Sequence, residues 1–345
     1  MTETPVRDAV ALRRRRRYGL LAGATALLTF ALIMLGAYVR LSDAGLGCPD
    51  WPGCYGKLTP TMAAEHIHAE VSRQGGEHGP VSMGKAWREM VHRYVATFLG
   101  LVIIALAVLA WRWRASLAGG PGLPTTLVGV VVLQGLFGMW TVTLLLKPAI
   151  VTGHLLGGLL TLALLVWLWQ RERLGGPRRI DAGGLTWLVL LALIALVVQI
   201  SLGGWTSTNY AALACTDLPT CQGRWWPDAD FTHAFHVFRE LGQTPDGAPL
   251  TSATLTAIHL THRIGAVFAS ILLLAMALAA RRRQGLAGPA NLLLALLVAQ
   301  WTLGLSNVAF SLPLPVAVAH NGGAAALLAV LVVLLFRVTT AKRNR

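Results

Sequence analysis

The sequence predicts an all-α integral membrane protein: eight transmembrane helices arranged as a tandem duplication of two four-helix bundles. Three observations carry that fold class. Hydrophobic residues make up 55% of the 345 residues and charged ones only 13%, a composition outside that of soluble domains. Eight apolar runs stand near 18–39, 90–111, 124–146, 150–170, 184–204, 254–280, 289–309 and 316–337. Each suits a hydrocarbon core that needs about 20 helical residues, and all are too long and too weakly alternating for barrel strands. Finally, an ordered series of residues recurs at a nearly constant offset.

The first run follows the basic cluster Arg13–Arg17. It is longer than the apolar part of a signal peptide and no small-residue cleavage motif closes it, so it reads as a retained helix. Eight spans put both termini on one side. That side carries 19 basic residues, from Arg7 and Arg13–Arg17 through Arg112, Arg114, Arg171, Arg173, Arg178, Arg179 and Arg281–Arg283 to Arg337, Lys342, Arg343 and Arg345. Only Glu3, Asp8, Glu172 and Asp181 oppose them. The net charge of +14 is therefore an orientation signal that places both termini in the cytoplasm. It is not a nucleic-acid footprint, and no nucleic-acid partner is expected.

An outer loop of about 50 residues follows the first span and contains Cys48-Pro49-Asp50-Trp51-Pro52-Gly53-Cys54. The fifth span leads into a second long outer loop with Cys215-Thr216-Asp217-Leu218-Pro219-Thr220-Cys221. A shift of 167 superposes Gly36 on Gly203, Leu46 on Leu213, the Cys, Asp and Pro positions, and Gly56 on Gly223. A shift of 170 brings His92-Arg93 onto His262-Arg263, and one of 166 aligns Gln134, Gly138 and His154 with Gln300, Gly304 and His320. An even number of spans per unit gives the two copies one orientation. The expected division is a basic tail 1–17, four-helix halves 18–175 and 176–337, and a basic tail 338–345. The seam is Gly175-Gly176-Pro177, and Gln243–Gly247 reads as irregular surface.

His92, His154, His262 and His320 all stand near the outer start of an even-numbered span. Charged or imidazole side chains there are costly and need a reason. Matched depth lets His92 meet His154, and His262 meet His320, as two axial ligands of a haem iron. The competing reading is interhelical hydrogen bonding, which also suits the intramembrane amides Gln134, Gln199, Gln300 and Asn307. Zinc is disfavoured, because neither half supplies further ligands at useful spacing. Arg93 and Arg263 are candidate partners of haem propionates, or snorkel to the outer headgroups.

Glu89 precedes His92 by one turn and is a candidate proton acceptor, against the alternative of an exposed residue ending the loop. The matching position in the second half is taken as Leu260, so the acid is expected in one copy only. His259, one turn before His262, is read as having no counterpart and as supporting His262 from behind. The four cysteines form two C-x5-C pairs on the oxidising side, with one short disulfide per loop as the default. Bracing the loop and redox activity are both open roles.

Together these features resemble the haem A synthase family over nearly the whole chain. The carrying motifs are Glu89-x-x-His92-Arg93, His262-Arg263, Gly45-Leu46-Gly47-Cys48-Pro49-Asp50-Trp51-Pro52 and one histidine per even span. The resemblance implies a membrane oxidoreductase that converts the methyl group of haem O to the formyl group of haem A by successive hydroxylations. It implies haem B on His262 and His320 in the second half. The substrate haem O falls on His92 and His154 in the first, with Glu89 catalytic, and the outer disulfides map onto Cys48–Cys54 and Cys215–Cys221. The implied setting is the cytoplasmic membrane, with membrane lipids around the spans. The implied partners are a haem O synthase, assembly factors of haem-copper oxidases and an electron donor such as quinol. A homo-oligomer remains open. The rival classes are a non-catalytic di-haem cytochrome b and a transporter of parallel repeats. The transporter would place its polar groups at the midplane, not near the outer surface.

Overall fold

The computed structural model describes residues 4–174 and 184–340. The seam at Gly175-Gly176-Pro177, the boundary between 175 and 176, Glu3, Arg178, Arg179, Asp181, Lys342, Arg343 and Arg345 lie outside them.

Among the described residues, eight long helices are apolar enough to cross a membrane. They are α1 (Thr4–Leu41), α3 (Met83–Arg112), α4 (Gly122–Thr143), α5 (Pro148–Leu174), α6 (Leu185–Thr208), α8 (Ser252–Arg281), α9 (Ala287–Ala309) and α10 (Leu314–Thr339). Two short helices lie in the outer loops, α2 (Ala64–Arg73) and α7 (Phe231–Ala234). No strand occurs among the described residues.

The helices overrun the apolar segments that predict them. α3 begins at Met83, where the Ser82 hydroxyl accepts from the Lys85 amide at 3.2 Å, and α8 is opened in the same way by Thr251 and the Thr254 amide. Such caps satisfy orphan amides that would otherwise end the helix sooner. The overrun matters for the site. His92 and His262 lie more than two turns inside their helices, and the Glu89 turn is already helical and ordered.

The helices α1, α5, α6 and α10 form the centre, with α10 the most enclosed span, whereas α4 and α9 show most of their apolar surface outward. Leu101, Phe268 and Val298 are outward-facing examples. The core is aliphatic and closes around Tyr18, Ile103, Leu106, Leu162, Leu165 and Met276. Tyr18 donates its hydroxyl to the Leu106 carbonyl at 3.1 Å, so the polar tip of a fully buried ring stays satisfied. At the end of the spans where α1 begins, buried Glu172 accepts from the Ala118 amide and pairs with Arg171 and Arg15. This ties the α3–α4 connection to α5 and α1.

Candidate functional site

Both cysteine pairs are bonded, Cys48–Cys54 and Cys215–Cys221. The reason for the shared Asp in each loop becomes visible here. Asp50 accepts from the amides of Tyr55 and Gly56 at 2.6 and 2.7 Å, and Asp217 from those of Gln222 and Gly223 at 2.6 and 3.0 Å. The turns need glycine at their ends: Gly56 and Gly223 have φ of +69° and +73°, open to a residue without a Cβ. Asp217 also receives the Thr220 hydroxyl. That bond, followed by the Gly223 amide, holds its carboxyl down at about 2.

Each loop is fastened to the helix that carries a histidine. Arg93 donates to the carbonyls of Asp50 and Gly53 at 2.8 and 2.6 Å, and Arg263 to those of Asp217, Thr220 and Cys215 at 2.9, 3.0 and 2.7 Å. Planar guanidinium forks suit this multiple capture. Neither arginine snorkels. Arg93 turns its Nη1 to the loop and its Nη2 to Glu89, and Arg263 turns both Nη atoms to its loop, so the visible role of each is to hold a disulfide turn against the histidine-bearing helix.

Glu89 is buried, which removes the exposed-residue reading. Its Oε2 accepts from the Cys48 amide at 2.9 Å and its Oε1 pairs with Arg93. The second half makes the same closure with a different residue. His259 Nδ1 accepts from the Cys215 amide at 3.1 Å, and its Nε2 lies 3.3 Å from Arg263 Nε. The counterpart of Glu89 is therefore His259, not Leu260: both stand three residues before a histidine, at the same offset of 170. The acid is still confined to the first half. An imidazole takes its place in the second.

The four histidines stand on four different spans, His92 on α3 and His154 on α5, His262 on α8 and His320 on α10. Every ring lies edge-on against a glycine of a neighbouring helix. A Cβ added at Gly36 or Gly203 would stand 3.0 Å from Cε1 of His92 or His262. At Gly138 it would stand 3.5 Å from His154 Cε1, and at Gly304 3.2 Å from His320 Cε1. Gly36, Gly203 and Gly304 leave room for rings that a Cβ would press, whereas a Cβ at Gly138 would make ordinary contact. The Nδ1 atoms of His92, His154 and His320 are buried without a hydrogen-bond partner. Buried polar atoms left in this way call for an explanation. Interhelical bonding does not supply it, because among the described residues the ring of His92 or His154 bonds to no neighbour. Two glycine-backed imidazoles per half are a donor set that fits a haem iron.

Sequence reading missed several groups in the frame around the site. Arg40 donates to the Ser207 carbonyl at 2.7 Å and Tyr210 to Asp43 at 2.9 Å, joining the outer ends of α1 and α6. Buried Arg239 donates to Asn209 at 2.6 Å, and Lys147 pairs with Glu240 at 2.7 Å, which draws the second outer loop onto the α4–α5 turn. An isolated cation in a loop carries no signal of these partners.

Comparison with known proteins follows the same lines. The family model COX15-CtaA, described as cytochrome oxidase assembly protein, matches residues 19–332. The chain is 45% identical to the Heme A synthase of Shewanella oneidensis over 318 residues, 89% of this chain and 92% of that one. It is 28% identical to the Heme A synthase of Rhizorhabdus wittichii over 326 residues, 89% of each. A third Heme A synthase, from Hyphomonas neptunium, is 31% identical over 236 residues, 61% of this chain and 64% of that one. With the match running from the first span to the last, the chain belongs to the COX15-CtaA family of cytochrome oxidase assembly proteins.

Proposed function

We propose that the protein is a haem A synthase of the cytoplasmic membrane, with both termini in the cytoplasm, that oxidises the methyl group of haem O to the formyl group of haem A. The observation that carries this reading is the pair of glycine-backed histidine couples, one of them beside a buried carboxylate, in a chain 45% identical to a named Heme A synthase. Each of two hydroxylations of one methyl carbon would take one oxygen atom from molecular oxygen and, with two electrons from the donor and two protons, reduce the other to water; the resulting geminal diol loses water to leave the formyl group.

The halves 18–175 and 176–337 divide the work. His92 and His154 would hold the iron of the substrate haem O, and His262 and His320 would hold haem B, which would supply one-electron redox chemistry. Glu89 takes up protons at its carboxylate oxygens. Arg93 and the Cys48 amide keep that carboxylate oriented one turn before His92, and a general base positioned in this way contributes roughly 100- to 10,000-fold. Arg93 and Arg263 offer the propionates whatever donors the loops leave over. A quinol is the proposed electron donor, haem O arrives from a haem O synthase, and haem A leaves to the assembly of a haem-copper oxidase.

The test is expression in a bacterium that makes haem O but no haem A, followed by chromatography of the extracted haems. Haem A or a hydroxylated haem O is the expected product. Haem B alone at two per chain, with haem O unchanged, would make the protein an electron-transfer cytochrome.

A further inference from the structure

Three of the four histidines share a device that the fourth lacks. Gln134 on α4 donates its amide to the His154 carbonyl at 2.9 Å. Gln300 on α9 does the same to the His320 carbonyl at 3.0 Å. Gln199 on α6 reaches the His262 carbonyl at 3.0 Å and also lies 3.0 Å from its Nδ1. In each case a glycine follows the histidine by three residues: Gly157, Gly323 and Gly265. A Cβ at any of these glycines would overlap the glutamine amide. Glutamine and glycine therefore form a matched pair. The missing side chain on one helix makes the space through which the amide of its neighbour reaches the histidine's backbone.

His92 has neither part. Val95 stands three residues after it, and Leu32 takes the place of Gln199. The register is supported by geometry as well as by offset: a Cβ added at Gly36, one turn after Leu32, or at Gly203, one turn after Gln199, would stand 3.0 Å from Cε1 of His92 or His262. Among the described residues no side chain hydrogen-bonds the His92 ring or its carbonyl, and its Nδ1 is buried and unpartnered. Both positions are apolar in the first half, so neither a reaching amide nor the space for one is present there.

We propose that Gln134, Gln199 and Gln300 are positioning residues that clamp three ligand-bearing turns, and that His92 is left unclamped so that it can release the iron of an exchanging haem. The inference rests on the haem reading of the previous section. Groups that fix a ligating imidazole from behind typically change metal affinity 10- to 100-fold. A cofactor that stays needs both of its ligands held, as His262 and His320 are. A substrate that must leave as product needs one that lets go.

The test uses the full-length protein in detergent, loaded with ferric haem B as the probe, and follows loss of haem to excess apomyoglobin by absorbance. The unaltered chain should lose haem in a fast and a slow phase. The double substitution Leu32→Gln/Val95→Gly should slow the fast phase about 10- to 100-fold. Gln199→Leu, which keeps the side chain's size, should speed the slow phase by a similar factor and change the low-spin signal of the ferric haem, which a merely structural role would leave alone. Should the double variant fail to fold, Gln134→Leu serves in its place and should speed the fast phase. Phases unchanged in Gln199→Leu and in whichever first-half variant folds overturn the clamp while leaving the haem reading intact. Failure of the unaltered chain to bind haem at all overturns both.

Discussion

The turn of α3 that carries Glu89, His92 and Arg93 and the turn of α8 that carries His259, His262 and Arg263 are built to one plan. In each, an arginine gathers loop carbonyls, a side chain one turn before the histidine caps the amide of a disulfide cysteine, and a glycine backs the imidazole. What they share holds the outer loop in place. What differs is the capping group, a carboxylate paired with arginine in one and a neutral-capable imidazole in the other, and the glutamine clamp behind the ring. The comparison separates scaffold from chemistry, since a residue needed only to brace the loop has no reason to be acidic in one half alone.

The largest effect should follow from removing that acid while keeping its shape. Glu89→Gln retains an acceptor for the Cys48 amide, so haem content should hold while haem A formation falls about 100- to 10,000-fold, the range of general-base loss. A normal yield of haem A would remove the proposed role. His259→Gln, the mirror change, should leave the rate within a few-fold, measured in the same cells.

Arg93→Ala should cost more in folding than in any single bond, because it strands Glu89 without its partner. Breaking a buried pair from one side costs about 3–5 kcal/mol, and a thermal unfolding scan in detergent should show it. Arg263→Ala leaves no carboxylate behind and should destabilise less. Equal losses would mean that the two turns are energetically alike.

Opening either disulfide should be milder. A loop this short contributes roughly 2 kcal/mol by chain entropy, so Cys54→Ser and Cys221→Ser should lower stability about equally. Only Cys54→Ser should also depress turnover, because the first loop's backbone holds Glu89.

The smallest effect is a pH dependence in the second loop. Asp217 has its carboxyl lowered from 3.8 to about 2, chiefly by the Thr220 hydroxyl. A depressed carboxyl gives its stabilisation in full above the unfolded value and loses it as pH falls through the folded one. Exchange protection of the Gln222 and Gly223 amides should therefore be flat above pH 4 and decline between 3.8 and about 2. Thr220→Gly, which copies Gly53 of the first loop, should move that decline upward in pH.

Much of the molecule was legible in the sequence because apolar length and charge asymmetry are summed over many residues. Eight spans and the two bonded cysteine pairs followed from them. The start of α3 at Met83 did not, since Ser82 caps a helix whose first turns are polar and lie outside the apolar run. Helix α2 carries no side-chain cap of its own and follows a 3-10 turn, Pro60–Ala63, that Thr59 caps and Pro60 opens, within a loop too polar to attract a helical reading. The match of Glu89 with His259 was open to counting, but unlike residue types hide an equivalence that only a shared hydrogen bond reveals. The glutamines were visible as intramembrane amides, yet their partners are backbone carbonyls. The one trace left in sequence is the glycine three residues after His154, His262 and His320.

The most direct test of a substrate half and a cofactor half is the haem complement of His92→Ala and His262→Ala, each purified from cells supplying haem O. The account predicts that His92→Ala keeps haem B and yields no haem A or hydroxylated intermediate, whereas His262→Ala loses haem B. Haem A formation at the normal level in His92→Ala, or the same haem content in both variants, would contradict it.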